Sequence, residues 1–343
     1  MNNLSNYRFT FRKVFASICA IVFPFFLFAQ IANYPHYQKA IHQAEIQLVR
    51  GDKTKALSLY RDILSTSKGN FVKDVYNALL LAVELEDANA FFGHLDLLLP
   101  KGLPNEYLME VEKFSAYRSD PRWSDFMERN RMDNGIDQPM RDTMKQIQRL
   151  DQLYRKKKGS YRVYGDTIAA IDSMHVDYLL GLLEAGRFPG EDEIGVVNLR
   201  GKQYYDIALL HYTQSVGVNP SRPKITPFLL NLVFEGKILP NKCAAWLESQ
   251  NDGFEAGSRS TYSFIVEGKK TDFYFDKFSG RKLILLNQYR KLLHLESLEE
   301  YREKVKYVLL NPDSPFVFDV RFNTLESSKE LFERLSSYME KVE

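Results

Sequence analysis

Between residues 36 and 130, apolar side chains recur every three or four positions, the period of helices that bury one face. The pattern also repeats: Ala44, Ala56, Tyr60 and Ile63 return 34 residues later as Ala78, Ala90, His94 and Leu97. The turn formers of "MDNGIDQP", residues 132–139, predict a boundary, with Pro139 suited to start a helix. Beyond it, helical spacing predicts elements near 139–158, 166–185, 197–214 and 225–249, the last broken at Pro240. Alternation then takes over. Tyr262, Phe264 and Val266, a turn at Gly268, then Phe273 and Phe275 predict a β-hairpin. Helices follow at 281–293 and 298–310, "PFVFDVRF" at 315–322 reads as a third short strand, and 325–342 closes as an amphipathic helix. The expected fold is mainly α, helix pairs first, then a helical domain with a small antiparallel β element.

The repeat resembles the tetratricopeptide family, in which small residues let two helices approach and a larger one fills the gap. "AEIQLVRGDKTKALSLYRDIL", 44–64, is similar to it, with Gly51 and Asp52 in the turn; "ALLLAVELEDANAFFGHLDLL", 78–98, is looser. His94 stands where the family prefers an aromatic, and its usual proline is absent at Lys68 and Gly102. A third pair, 105–130, keeps no register, as suits a terminal cap. The alternative is an ordinary helical hairpin domain. The resemblance implies a concave helical surface that takes a protein partner.

Several polar residues interrupt the apolar stripes after Pro139. Met140, Met144, Ile147 and Tyr154 share a face that includes Asp151, and a carboxylate there needs a partner. Arg155, one turn on, supplies an ion pair worth about 0.3–0.5 kcal/mol if exposed. On the next helix, His175 lies within the arc of Ile168, Ile171, Tyr178, Leu179, Leu182 and Leu183, with Asp172 at its flank. His211 follows beside Tyr204, Ile207 and Ala208. Four titratable groups, Asp151, Asp172, His175 and His211, converge if these helices pack together, a pattern produced by functional sites and by structural networks alike. An Asp and a His three residues apart do not make a metal site, and neither a metal nor a cofactor is expected.

"GRFPGEDEIG", 186–195, joins the two histidine-bearing helices. Gly186 reads as a helix C-cap and Pro189 stops continuation, while Glu191, Asp192 and Glu193 suit the N-terminus of the next helix. Glu191 is the residue placed at the rim of any site. "RKKKG", 155–159, reads as a helix end.

Charge and composition narrow the function. Arg8, Arg12 and Lys13 precede an apolar run from Val14 to Phe28 and then Ala29, the layout of a signal peptide cut after residue 29. That run is shorter than the roughly 20 residues that span a bilayer, so no stable span is expected after cleavage. Its loss takes the formal charge from +2 to about −1 and removes any net basic field for nucleic acid. Only Cys243 would remain, so no intramolecular disulfide is available. "GVVNLRGKQ", 195–203, fails as a phosphate loop: five residues separate its glycines, and Gln203 stands where Ser or Thr must reach magnesium. No nucleophile elbow and no zinc-protease helix appears.

A second resemblance covers 140–250 and 287–304. "DQLYR" at 151–155, "IDSMHVDYLLGLLEAGRFPGEDEIG" at 171–195 and "ALLHYTQ" at 208–214 are similar to an uncharacterised domain of exported bacterial proteins. It implies importance for Asp151, Gln152, Arg155, Asp172, Pro189, Gly195 and His211. His175 stands where that family has Asn, and its later Asp-Arg and Tyr-Gly-Thr segments have no clean counterpart at 244–264. The family lends no reaction. The expected organisation is a signal peptide over 1–29, a repeat unit over 30–135 and a helical domain over 136–343, exported to the periplasm or outer envelope of a Gram-negative bacterium. The expected role is binding or scaffolding through residues 30–135. The alternative is a hydrolase-like or small-ligand site with His211 as general base, Asp151 and Glu191 assisting, and Arg155, Asp172 and His175 binding.

Overall fold

A computed structural model describes residues 34–343 apart from 68, 133, 134 and 252. The expected signal peptide lies outside the described residues. The helix pairs come first: α1 (Tyr34–Val49) with α2 (Lys53–Thr66), then α3 (Val72–Glu84) with α4 (Ala88–Leu95). Asp52 and Asp87 cap α2 and α4 by accepting from Lys55 N and Ala90 N, so the two pairs use one turn chemistry. Seven of the eight repeated positions are interior: Ala44, Ala56, Tyr60 and Ala78 have no exposed surface, Ile63, Ala90 and His94 have less than a tenth, and Leu97 is half-buried. A 3₁₀ turn (Asp96–Lys101), α5 (Asn105–Met109), a second 3₁₀ turn (Glu112–Tyr117) and α6 (Pro121–Met132) complete this half.

The second half begins with α7 (Gln138–Arg155), capped by Asp137, and α8 (Ser160–Glu184), kinked at Tyr164. Then come α9 (Glu191–Ile194), α10 (Asp206–Val218), α11 (Thr226–Phe234) and α12 (Pro240–Ser249). Sequence spacing predicted a helix from 197, but α10 starts at Asp206. Asn198 Oδ1 accepts from the amides of Arg200 and Lys202, and Gly201 adopts a φ of +67°, which holds this stretch as a turn. The break before Pro240 is observed, with a left-handed Gly236 ending the preceding helix.

β1 (Thr261–Val266), β2 (Lys269–Lys270) and β3 (Tyr274–Asp276) form the expected antiparallel hairpin, followed by α13 (Gly280–Leu292) and α14 (Leu298–Leu310). Two corrections arise at the end of the chain. Residues 315–322 are extended without forming a strand, and the next strand is β4 (Asn323–Ser327), which runs parallel to β1. The small sheet is therefore mixed. The closing helix is also shorter than its periodicity implied, α15 (Lys329–Ser336), because Ser328 caps it late and β5 (Met339–Lys341) pairs with β3.

Residues 34–343 form one compact unit. One apolar cluster fills the helix pairs and takes in Val196, Leu239, Phe316 and Phe318; a second lies among α7, α8 and α10 to α12, around Trp246 and Tyr205. A third, smaller one joins Phe275 to α13 and α14. Each fully buried large apolar side chain contributes about 1.5–3 kcal/mol. Among the described residues, no helix is long and apolar enough to cross a membrane.

Candidate functional site

The polar residues that interrupt the stripes of α7, α8 and α10 meet where these helices pack together. On α7, the helical period puts Asp151 one turn past Ile147 on the buried face, with 1% exposure. From α10, His211 reaches it: Nδ1 lies 2.8 Å from Oδ2 and 3.1 Å from Oδ1. The Gln152 side chain donates to the same Oδ2 at 2.7 Å. Arg155 ties the group to α8, since its Nη2 donates to both Asp172 oxygens, at 2.7 and 2.9 Å. Its Nη1 donates to the Asp151 carbonyl at 2.7 Å and lies 3.1 Å from Oδ1, and its Nε donates to the Tyr161 hydroxyl.

The expected partner of Asp151 is thus present, but its role is larger than an exposed ion pair. Arg155 bridges two buried carboxylates on different helices, so removing it would strand Asp172 and leave Asp151 with His211 and Gln152. Burial pushes Asp151 upward, but the bonds from His211 and Gln152 and the nearby positive charges hold it below the usual carboxylate range. For Asp172, burial outweighs the two bonds from Arg155, and the group lies above its ordinary value. His175 is 3% exposed, and neither ring nitrogen has a hydrogen-bond partner among the described residues; burial lowers its pKa.

With Nδ1 engaged by Asp151, the His211 ring is oriented and Nε2 is its remaining polar atom; the side chain is 16% exposed. This arrangement can hold a base or a hydrogen-bond acceptor in one orientation. Two recesses, one of about 480 Å³ between Ile265, Gly268 and Ser328, the other among Phe71, Glu191, Tyr205 and Lys242, are lined by none of Asp151, Asp172, His175 or His211. No group of three or more His, Cys, Asp or Glu among the described residues is arranged to hold a metal ion.

Glu191 lies with other partners. Its Oε2 accepts from the amide of Val72 at 2.6 Å, Lys101 stands 3.6 Å away, and burial raises its pKa. Adjacent acids diverge: Asp192 accepts from Lys101, while Glu193 accepts from the Gly190 amide and pairs with Lys237. The turn preceding them is the expected cap, with Gly186 N and Arg187 N bonding the carbonyls of Leu183 and Leu182. Gly195, at φ +68°, passes so close to the Lys101 carbonyl that a Cβ would lie 2.7 Å from it, and Val196 N donates to that same oxygen. This stretch clasps the helix pairs to the second half. Cys243 is buried with its thiol toward the Leu229 carbonyl, and burial pushes its pKa up.

Two features escaped sequence reasoning. In the first, Lys304 of α14 pairs with Glu45 of α1 and with Glu296, both at 2.6 Å, and Lys73 of α3 pairs with Glu45 at 2.8 Å and with Asp74. His42, Arg290 and the Tyr37 hydroxyl extend this network, in which Glu45, Lys304 and Glu296 are almost wholly buried. Burial would raise Glu296, but His42, Lys304 and Arg290 together hold it down at about 2. Its signal was available, since Lys304 falls between Tyr301 and Val305 on the apolar face of α14.

The second is Asn77, buried on α3. Its Nδ2 donates to the Val317 carbonyl and its Oδ1 accepts from the Val317 amide, both at 2.8 Å. One side-chain amide thereby satisfies both backbone groups of an extended residue. Those bonds explain why residues 315–322 need no neighbouring strand.

The fold and its polar clusters define a mainly helical protein in which helix pairs adjoin a second helical half and a small mixed sheet. Compared with protein-family models, curated proteins and solved structures, the chain matches none.

Proposed function

We propose that the protein is an exported, envelope-located binding protein whose helix pairs hold a polypeptide partner. The observation that carries this reading is the two-way bond between Asn77 and Val317, flanked by Phe316 and Phe318 in the apolar cluster of the helix pairs. Backbone recognition by a buried amide, with side chains entering apolar contacts on either side, suits extended polypeptide of varied sequence.

The test uses the full chain, since Phe316, Phe318 and Val196 belong to the core of the helix pairs and residues 30–135 alone would expose it. Photo-crosslinkers at the exposed positions Ser58 and Gly93 are compared with ones at Arg162 and Met174 in envelope extract. Crosslinks to a polypeptide from the first pair alone fit the reading; crosslinks only from the second pair would sink it.

A second reading rests on the orientation of His211 by Asp151, which leaves Nε2 to accept a proton from water or a ligand hydroxyl. Turnover of ester, amide or phosphoester substrates that is lost in His211→Gln would favour it. Activity unchanged by that substitution would dismiss it.

A further inference from the structure

We infer that residues 315–320 are a resident ligand, and that the surface beneath them accepts extended segments with two aromatic side chains one residue apart from another polypeptide. This rests on the reading of the helix pairs as a polypeptide-binding unit and specifies its partner. In an extended chain, side chains alternate, so Phe316 and Phe318 point to one side and Val317 to the other. Both phenylalanines are only 8% exposed and pack in the cluster of the helix pairs, and Phe318 meets Tyr307 edge-on at 5.5 Å. Val317 is half-buried, packs against the edge of the same cluster, and is held through both groups of its backbone. The grip combines backbone bonds at the centre with aromatic anchors at the flanks.

The surface also needs an occupant. Asn77 has no exposed surface, and Tyr60, equally buried, is the other group near its Nδ2, at 3.5 Å. Without the segment, Asn77 Oδ1 would lose its partner, Nδ2 would keep only the long contact to Tyr60, and the space filled by the two phenylalanines would open. Only a ligand of the same chemistry restores all of these contacts. The resident segment is tied at both ends, to α14 before it and to β4 after it. Tethering gives it a high effective concentration, so a free peptide competes poorly until the segment is released.

The experiment measures fluorescence anisotropy of a labelled peptide with the sequence of residues 313–321 on the full chain. Two released forms are used: Val317→Pro, which removes the N–H that donates to Asn77 Oδ1, and Phe316→Ala with Phe318→Ala, which removes the anchors. Both should bind the peptide at least about tenfold more tightly than the unaltered chain. A peptide with both phenylalanines replaced by alanine should not bind, and adding Asn77→Ala should abolish binding. Hydrogen exchange on the unaltered chain gives a measurement independent of any variant's folding: saturating peptide should remove protection at the Val317 amide. Folded released forms that bind no more tightly, or Val317 protection unchanged by saturating peptide, overturn the inference. If Ser58 or Gly93 still crosslinks a partner, that result leaves the binding reading standing; if both assays are blank, both readings fall.

Discussion

Asp151 and His211 are separated by 60 residues and meet at 2.8 Å, because each is a polar residue among apolar neighbours where two helices pack. Such exceptions are visible in a sequence, since an interior carboxylate demands a partner. Which partner it finds is a matter of packing: Arg155, expected to serve Asp151 along one helix, makes its paired bonds across to Asp172. Arg155→Met should therefore cost about 3–5 kcal/mol, well above an exposed pair, by urea denaturation. A loss below about 1 kcal/mol would show that Asp172 finds another partner. His94 gives a second test. Burial lowers it from 6.5 to about 4, so the folded state resists its protonation. A depressed histidine leaves stability intact above the unfolded value; that stability declines as pH falls from 6.5 towards 4, by about 3 kcal/mol in total. His94→Phe should flatten that part of the pH–stability curve, and an unchanged slope would refute the assignment.

Among the elements, the stretch 186–195 separates local from tertiary information. Its cap at Gly186 was legible from Gly and Pro spacing, because the bonds involved lie within six residues. The destination of Glu191 was not, because Val72 N is 119 residues away and nothing local points to it. Two left-handed glycines in this stretch should behave differently. A Cβ at Gly186 meets nothing within 4 Å, so Gly186→Ala should cost about 1 kcal/mol from backbone strain alone. At Gly195 the Lys101 carbonyl adds a steric clash, so Gly195→Ala should lower the thermal midpoint further. Equal losses would mean that the clasp yields freely. Residues 315–322 teach the same lesson: alternation correctly marked them as extended, but a strand needs a neighbouring strand, and here side-chain groups of Asn77 and Tyr301 supply the bonds.

Across the whole molecule, the buried ionic network joins α1 and α3 to α13 and α14, with Glu45 and Lys304 lying 259 residues apart. Glu296 sits at about 2 against an ordinary 4.5, so its contribution is complete above 4.5 and is lost as pH falls towards 2. Acid denaturation should have its steepest limb in that window. Lys304→Met should remove the cation that Glu45 and Glu296 share, leave the remaining buried charges unbalanced, cost about 3–5 kcal/mol at pH 7, and move the acid transition upward. An acid limb at the same pH would remove the network from the account. The residues alone determined the helical class, the first helix pairs and the hairpin, since period, caps and turns act over a few positions. Which buried charges neutralise one another, where Glu191 bonds and what covers Asn77 were decided by tertiary packing. Those pairings join distant segments, and a desolvated polar group takes whichever partner the fold brings within bonding distance.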